Sequence, residues 1–267
     1  MQEKEHDFPN GLEAIFIILA VFMAEYVVGG LMYDARSLLD LNSNEAGVLI
    51  TLLGNGVVFT AVMHFKHLSY RNLFHENKAK ASHTFFLLLP PILLLTPALV
   101  LSMSAVSSVI RHLFPLPDGS VATFDDISSA KFAMVIAACI MAPILEEMLF
   151  RGVILRSFLK QYPRWRAIIA SALLFGIAHM NIYQFVVASL GGIALGWLYE
   201  RTDSLLPSMT LHATYNSSLT LFAPSGNEPS QIETSTVTVW IIAAILAAFG
   251  LQYLKRAISI RLASPKK

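Results

Sequence analysis

Two adjacent carboxylates inside an apolar run, Glu146 and Glu147 of MAPILEEMLFRG, are the residues of this 267-residue sequence best suited to chemistry. Arg151 follows Glu147 by four positions. On a helix the two share a face with the acid on the N-terminal side, the favourable order for an ion pair. Arg151 is therefore expected to neutralise Glu147. Glu146 is rotated by about 100° from its neighbour and need not be consumed by that pair. The spacing predicts one structural and one working carboxylate.

Two histidines add to this set. Of the eight in the chain, His6, His64, His67, His75, His83 and His112 fall in loops or at the ends of apolar segments, where an interfacial residue needs no further explanation. His179 and His212 fall within apolar segments. FGIAHMN sets Phe175 and His179 one helical turn apart, and LHATYNSS does the same for His212 and Asn216. An ionisable side chain at mid-membrane costs roughly 2.5 to 3.5 kcal/mol on insertion scales, so each needs a partner or a purpose. Peptide hydrolysis would use all of them: a base to activate water and donors for the tetrahedral oxyanion. Glu146 can be the base, His179 can orient the same water or shuttle its proton to the leaving amine, and His212 and Asn216 can supply the donors. The same Glu146, His179 and His212 could instead ligate zinc with an open position for water, although the HExxH pattern of zinc proteases is absent. A serine nucleophile is disfavoured because no GxSxG elbow occurs. Ser171, Ser189, Ser208, Ser217 and Ser218 read as small helix-packing residues.

The elements that must position these groups are membrane helices. Hydrophobic residues make up 55% of the chain and charged ones 14%, against about 25% charged in a soluble domain. A bilayer core needs about 20 apolar residues per helix, and about eight segments approach that length. They lie near 12–33, 46–65, 84–110, 130–153, 166–182, 184–200, 205–222 and 236–254. The first is too long for a signal-peptide core and lacks an A-x-A cleavage site, so it reads as a retained span. Pro90, Pro91 and Pro97 are expected to kink the third segment or split off its start. With the N-terminus cytoplasmic, the outer loops hold only Arg36, Arg111 and Lys131 of the 19 Lys and Arg, and Arg151 lies within a span. The positive-inside rule thus places both termini in the cytoplasm, and residues 111–131 become an acidic external loop. Counted from the cytoplasmic span ends, Glu146, His179 and His212 lie roughly 15, 20 and 10 Å deep at 1.5 Å per residue, consistent with one cavity open to the cytoplasmic side. The fold class is all-α, a polytopic bundle forming a single membrane domain over residues 1–267.

The net charge of +1 and the lack of a basic stripe with interleaved aromatics exclude nucleic acid as a partner. Cys139 stands alone, which rules out an internal disulfide, and reads as a small buried hydrophobe. Gly191, Gly192 and Gly196 are suited to close helix approach. Glu25 and Asn55, in the first and second segments, stand outside the motifs as possible partners of other spans.

In order and on separate spans, EExxxR (Glu146, Glu147, Arg151), FxxxH (Phe175, His179) and HxxxN (His212, Asn216) resemble the CAAX-protease and bacteriocin-processing family (CPBP, or Abi) of intramembrane endopeptidases. The likeness covers residues 130–222 and includes GGIALGWLYERTDSLLPSMTLHATYN. The resemblance implies a helical bundle around a cavity closed off from lipid. It implies that Glu146 and His179 activate water, that His212 and Asn216 form the oxyanion hole, and that Glu147, Arg151 and Phe175 support them. It leaves the metal question open; the metal-free reading is preferred because an Asn216 amide can donate to an oxyanion, with zinc on Glu146, His179 and His212 as the alternative. The expected partners are the lipid bilayer and a membrane-embedded or lipid-linked peptide substrate, in a bacterial plasma membrane. Two other classes compete. A non-catalytic bacteriocin-immunity or peptide-binding protein would not need the intact set of four, and a proton-coupled transporter would be expected to show inverted repeats or matched broken helices, which are absent.

Overall fold

Nine helices, and no strands among the described residues, make up the computed structural model, which describes residues 7–75, 80–115, 133, 135–221 and 237–263. The expected acidic loop therefore lies largely outside the described residues, as do both chain termini. Helix α1 (Gly11–Leu38) and α2 (Ser43–Phe65) each start at an asparagine with a reciprocal capping box, Asn10 with Glu13 and Asn42 with Glu45. These boxes satisfy backbone donors that would otherwise be orphaned at a helix start. A short α3 (Tyr70–Phe74) leads to α4 (Ala81–Leu113). Pro90, Pro91 and Pro97 lie inside α4, which nevertheless continues as one helix of 33 residues, so the expected split does not occur.

Helix α5 (residues 137–161) carries the paired glutamates and is not a uniform α-helix. Two π-helical stretches, Ala137–Met141 and Met148–Leu155, alternate with α-helical turns. Helix α6 (Arg164–Ala178) and α7 (Ile182–Thr202) form a hairpin, followed by α8 (Leu205–Leu221) and α9 (Val237–Ala263). Five helices, α1, α2, α4, α7 and α9, are long and apolar enough to cross a membrane. The sequence reading expected about eight spans; α6 and α8 have only 15 and 17 residues, short of the roughly 20 that a bilayer core requires.

The core is built where the motif-bearing helices meet. Along Met148–Leu155 every residue is buried, and Phe150, Ile154 and Leu155 pack with Phe158, Ile168, Phe175 and Leu205. A second cluster joins Leu88 and Ile92 of α4 to Leu198, Leu211 and Leu254. Close approach depends on glycine at particular points. A Cβ on Gly192 would lie 3.1 Å from the Cβ of Ala172 and 3.3 Å from Arg151 Nη2, whereas one on Gly191 would meet nothing within 4 Å. Of the three glycines singled out in α7, Gly192 and Gly196 thus serve packing, while Gly191 lines a cavity.

The two ends of the bundle differ in charge. At one end Gln161 Nε2 donates to the carbonyls of Asp7 and Pro9 at 2.6 and 2.9 Å. Arg164 pairs with Glu200 at 2.8 Å, and Arg156 donates to the Asn72 carbonyl at 3.1 Å. These contacts gather the N-terminus of α1, the start of α3, the end of α5, the start of α6 and the end of α7, with Lys66, Arg71, Lys160 and Arg201 alongside. At the opposite end the Tyr183 hydroxyl donates to the Phe114 carbonyl at 2.6 Å, joining the start of α7 to the end of α4.

Candidate active site

Arg151 organises the interior of the site. Its Nη1 donates to Glu147 Oε1 at 2.8 Å, and both side chains are fully buried. Its Nη2 donates to the Gly192 carbonyl at 3.0 Å, a contact that the missing side chain of Gly192 leaves room for. The guanidinium carbon sits 4.7 Å from the centroid of the Phe175 ring, a cation–π contact. The ion pair expected from the spacing is therefore present, and the carbonyl and the ring complete it. Phe175 also stacks edge-on with His179 and His212, at centroid separations of 4.9 and 5.8 Å. One aromatic ring thus sets the positions of an arginine and two histidines.

Both histidines are oriented through Nδ1. His179 Nδ1 lies 2.9 Å from the Phe175 carbonyl. A carbonyl only accepts, so this nitrogen carries the proton and the neutral ring presents an Nε2 lone pair. His212 Nδ1 lies 3.1 Å from Glu147 Oε1, and its Nε2 lies 3.7 Å from Glu146 Oε2. Because Glu147 is ion-paired with Arg151, His212 Nδ1 is the donor there, and Glu147 fixes the tautomer of His212. Spacing gave Glu147 a charge-balancing role, and the resemblance added an unspecified supporting one. Its second role emerges only when α5 and α8 come together.

Asn216 is held through the backbone irregularity of α5. The Ala142 N–H bonds to the Ala137 carbonyl, a π-type contact. Continuing that pattern, the donor for the Ala138 carbonyl would be residue 143, which is proline and has no N–H. Asn216 Nδ2 donates to this carbonyl instead, at 2.8 Å. One amide proton of Asn216 is thereby used, and the other remains for the cavity. Pro143 was the available sequence signal for this orphaned acceptor.

Glu146, His179, His212 and Asn216 line one cavity of about 790 Å³, together with Phe175 and Tyr215. The convergence expected from the sequence is present; Tyr215, Tyr183 and Gln184 are among the lining residues that sequence reasoning missed. His179, however, caps the C-terminus of α6 rather than lying inside a span, and it precedes Met180, whose φ is 51°. The cavity extends to Arg111, His112, Tyr183 and Gln184, at the end of the bundle opposite the basic one. The depth expected for His179 holds along α6, whereas the lining reaches the end of α4 and the start of α7, away from the basic end where the opening was expected.

Among the described residues, no group of three His, Cys, Asp or Glu side chains is arranged to hold a metal ion. His179 Nδ1 on a carbonyl and His212 Nδ1 on Glu147 leave the Nε2 atoms of both rings outside these bonds, an orientation that metal-ligating histidines also adopt. None of Ser171, Ser189, Ser208, Ser217 and Ser218 lines the cavity; Ser171, for example, donates to the Phe150 carbonyl at 2.9 Å.

Residues 128–218, which hold all three motifs, match the family described as type II CAAX prenyl endopeptidase Rce1-like. Over 91 residues, 34% of this chain and 37% of the relative, the sequence is 29% identical to the "Putative membrane peptidase YdiL" of Bacillus subtilis (strain 168). The alignment spans little more than a third of that relative's length. The resemblance carried by the motifs is thus borne out over the segment that contains them. With the five apolar helices, it makes the chain an integral membrane protein.

Proposed function

From the Rce1-like character of residues 128–218, we propose that this protein is an intramembrane endopeptidase that hydrolyses peptide bonds of membrane-associated peptides or proteins. The supporting observation is that Glu146, left out of the Arg151 ion pair, faces the same cavity as His179, His212 and Asn216. In this reading Glu146 takes a proton from water as the water oxygen bonds to the scissile carbonyl carbon. The proton passes to the leaving nitrogen as the C–N bond breaks, directly or through the free Nε2 of His179. The second amide proton of Asn216 donates to the oxyanion. His212 can join it only when both its ring nitrogens carry protons, because Nδ1 is engaged with Glu147.

The basic end of the bundle is proposed to be cytoplasmic, in a bacterial plasma membrane, following the positive-inside rule. The cavity then extends toward the outer face, which suits substrates presented there or within the outer leaflet. Comparing new peptide termini by mass spectrometry, in membranes holding wild type or Glu146→Gln at matched levels, tests the activity. Termini found only with wild type are expected. Identical profiles would favour the binding or immunity reading. Labelling of Gln184→Cys by an impermeant thiol reagent added to intact cells tests the orientation. Labelling only after lysis would reverse it.

A further inference from the structure

Glu25 and Asn55 are absorbed by neither the fold core nor the proposed mechanism. Glu25 lies midway along α1, a helix apolar enough to span a membrane. Among the described residues its hydrogen-bond partner is Asn55 of α2, whose Nδ2 donates to Glu25 Oε1 at 2.8 Å and also to the Thr51 carbonyl at 2.9 Å. Asn55 thus gives one bond to the carboxylate and one to its own helix. No Lys, Arg or His among the described residues forms a salt bridge with Glu25. The two helices meet closely here: a Cβ on Gly54 would lie 2.6 Å from Glu25 Cγ and 2.9 Å from its backbone nitrogen. A membrane carboxylate with one neutral partner on a close helix crossing is open to pairing with a cation from elsewhere.

The cavity beside it indicates where that cation comes from. Glu25, Thr51 and Asn55 line a space of about 200 Å³ that also includes Glu146, Phe175 and His179. Glu146, Phe175 and His179 border the larger cavity as well. The working carboxylate and histidine therefore stand on a wall common to two compartments, one large and one sized for a single side chain. We propose that the smaller compartment is a specificity subsite that accepts a basic side chain of the substrate, Lys or Arg, and pairs it with Glu25. This rests on the endopeptidase reading, with the scissile bond held at Glu146 while a neighbouring side chain enters between α1 and α5.

Wild type reconstituted in lipid vesicles would be given short apolar peptides carrying Lys, Gln or Glu at successive positions, with Glu146→Gln as the blank. Wild type is expected to prefer Lys to Gln at one position near the cut by on the order of tenfold in kcat/KM, the factor that about 1.4 kcal/mol carries. In Glu25→Gln, which keeps an acceptor for Asn55, the Lys-to-Gln ratio should fall to near one. In Glu25→Lys the preference should pass to Glu at that same position. Cleavage by wild type with no Lys preference at any position would overturn the subsite and leave the protease reading standing, and this needs no variant to fold. A ratio unchanged in Glu25→Gln would equally overturn it. No wild-type cleavage above the blank would overturn the protease reading and the subsite with it.

Discussion

The motif-bearing helices α5 to α8 and the amino-terminal pair α1 and α2 both carry carboxylates inside the apolar part of the molecule, and they treat them in opposite ways. In α5 to α8, Glu147 is held by Arg151 from its own helix and by His212 from another, and Arg151 in turn reaches Gly192 and the Phe175 ring. That carboxylate is fully buried, and its Oε1 accepts both bonds. Glu25 in α1 has a single neutral partner among the described residues and borders open space. Glu146 lies between the extremes, 3.7 Å from His212 and facing both cavities. The difference teaches that carboxylates within this bundle are tightly held where they position other groups and more loosely held where they face a cavity.

Removing the more loosely held carboxylate at the centre should have the largest effect on function with the least on folding. Glu146→Gln is expected to lower cleavage by about 10²- to 10⁴-fold, the range of general acid–base catalysis, with unchanged thermal unfolding in detergent. A large drop in unfolding temperature would place Glu146 among the structural charges instead.

Breaking the buried network should do the reverse. Arg151→Met strands Glu147 and should cost about 3 to 5 kcal/mol, the penalty for an unpaired buried charge, read as lost membrane abundance and a lower unfolding temperature. Replacing both members, Glu147→Met with Arg151→Met, should recover most of that stability, since an apolar pair needs no compensation. Cleavage should remain low in the double variant because His212 loses the group that sets its tautomer. Recovery of activity along with stability would reduce Glu147 to charge balance.

Neighbouring glycines give a sharper comparison on one helix. Gly192→Ala places a methyl against Ala172 and Arg151 and should cost about 1 to 3 kcal/mol through overpacking. Gly191→Ala should be near neutral in the same unfolding assay, because its Cβ meets nothing within 4 Å. Equal effects at the two positions would show that the α6–α7 contact is not set by Gly192.

The smallest expected effect is at the turn that carries His179. Asn181 caps α7, accepting from the backbone nitrogens of Tyr183 and Gln184 at 2.9 and 3.4 Å. Asn181→Ala should cost about 1 kcal/mol of stability, measured by the same unfolding transition. No change would mean that the hairpin is held by packing alone.

The sequence by itself determined the all-helical class, the membrane as solvent, the Glu147–Arg151 pair and the set of Glu146, His179, His212 and Asn216. Each is legible because it follows from local rules: apolar run length, i to i+4 spacing, and the cost of charge in lipid. The tertiary structure alone decided how these groups are used. It joined Glu147 to His212 across α5 and α8, supplied the Gly192 carbonyl to Arg151, and gave Asn216 the carbonyl that Pro143 cannot serve. It also set the cavity toward the end of α4 and the start of α7, away from the basic end of the bundle. Nor could spacing pair Glu25 with Asn55, 30 residues apart. Such contacts depend on which helices pack together and at what height. One-dimensional periodicity reports the face a residue occupies and carries no information about what stands opposite it.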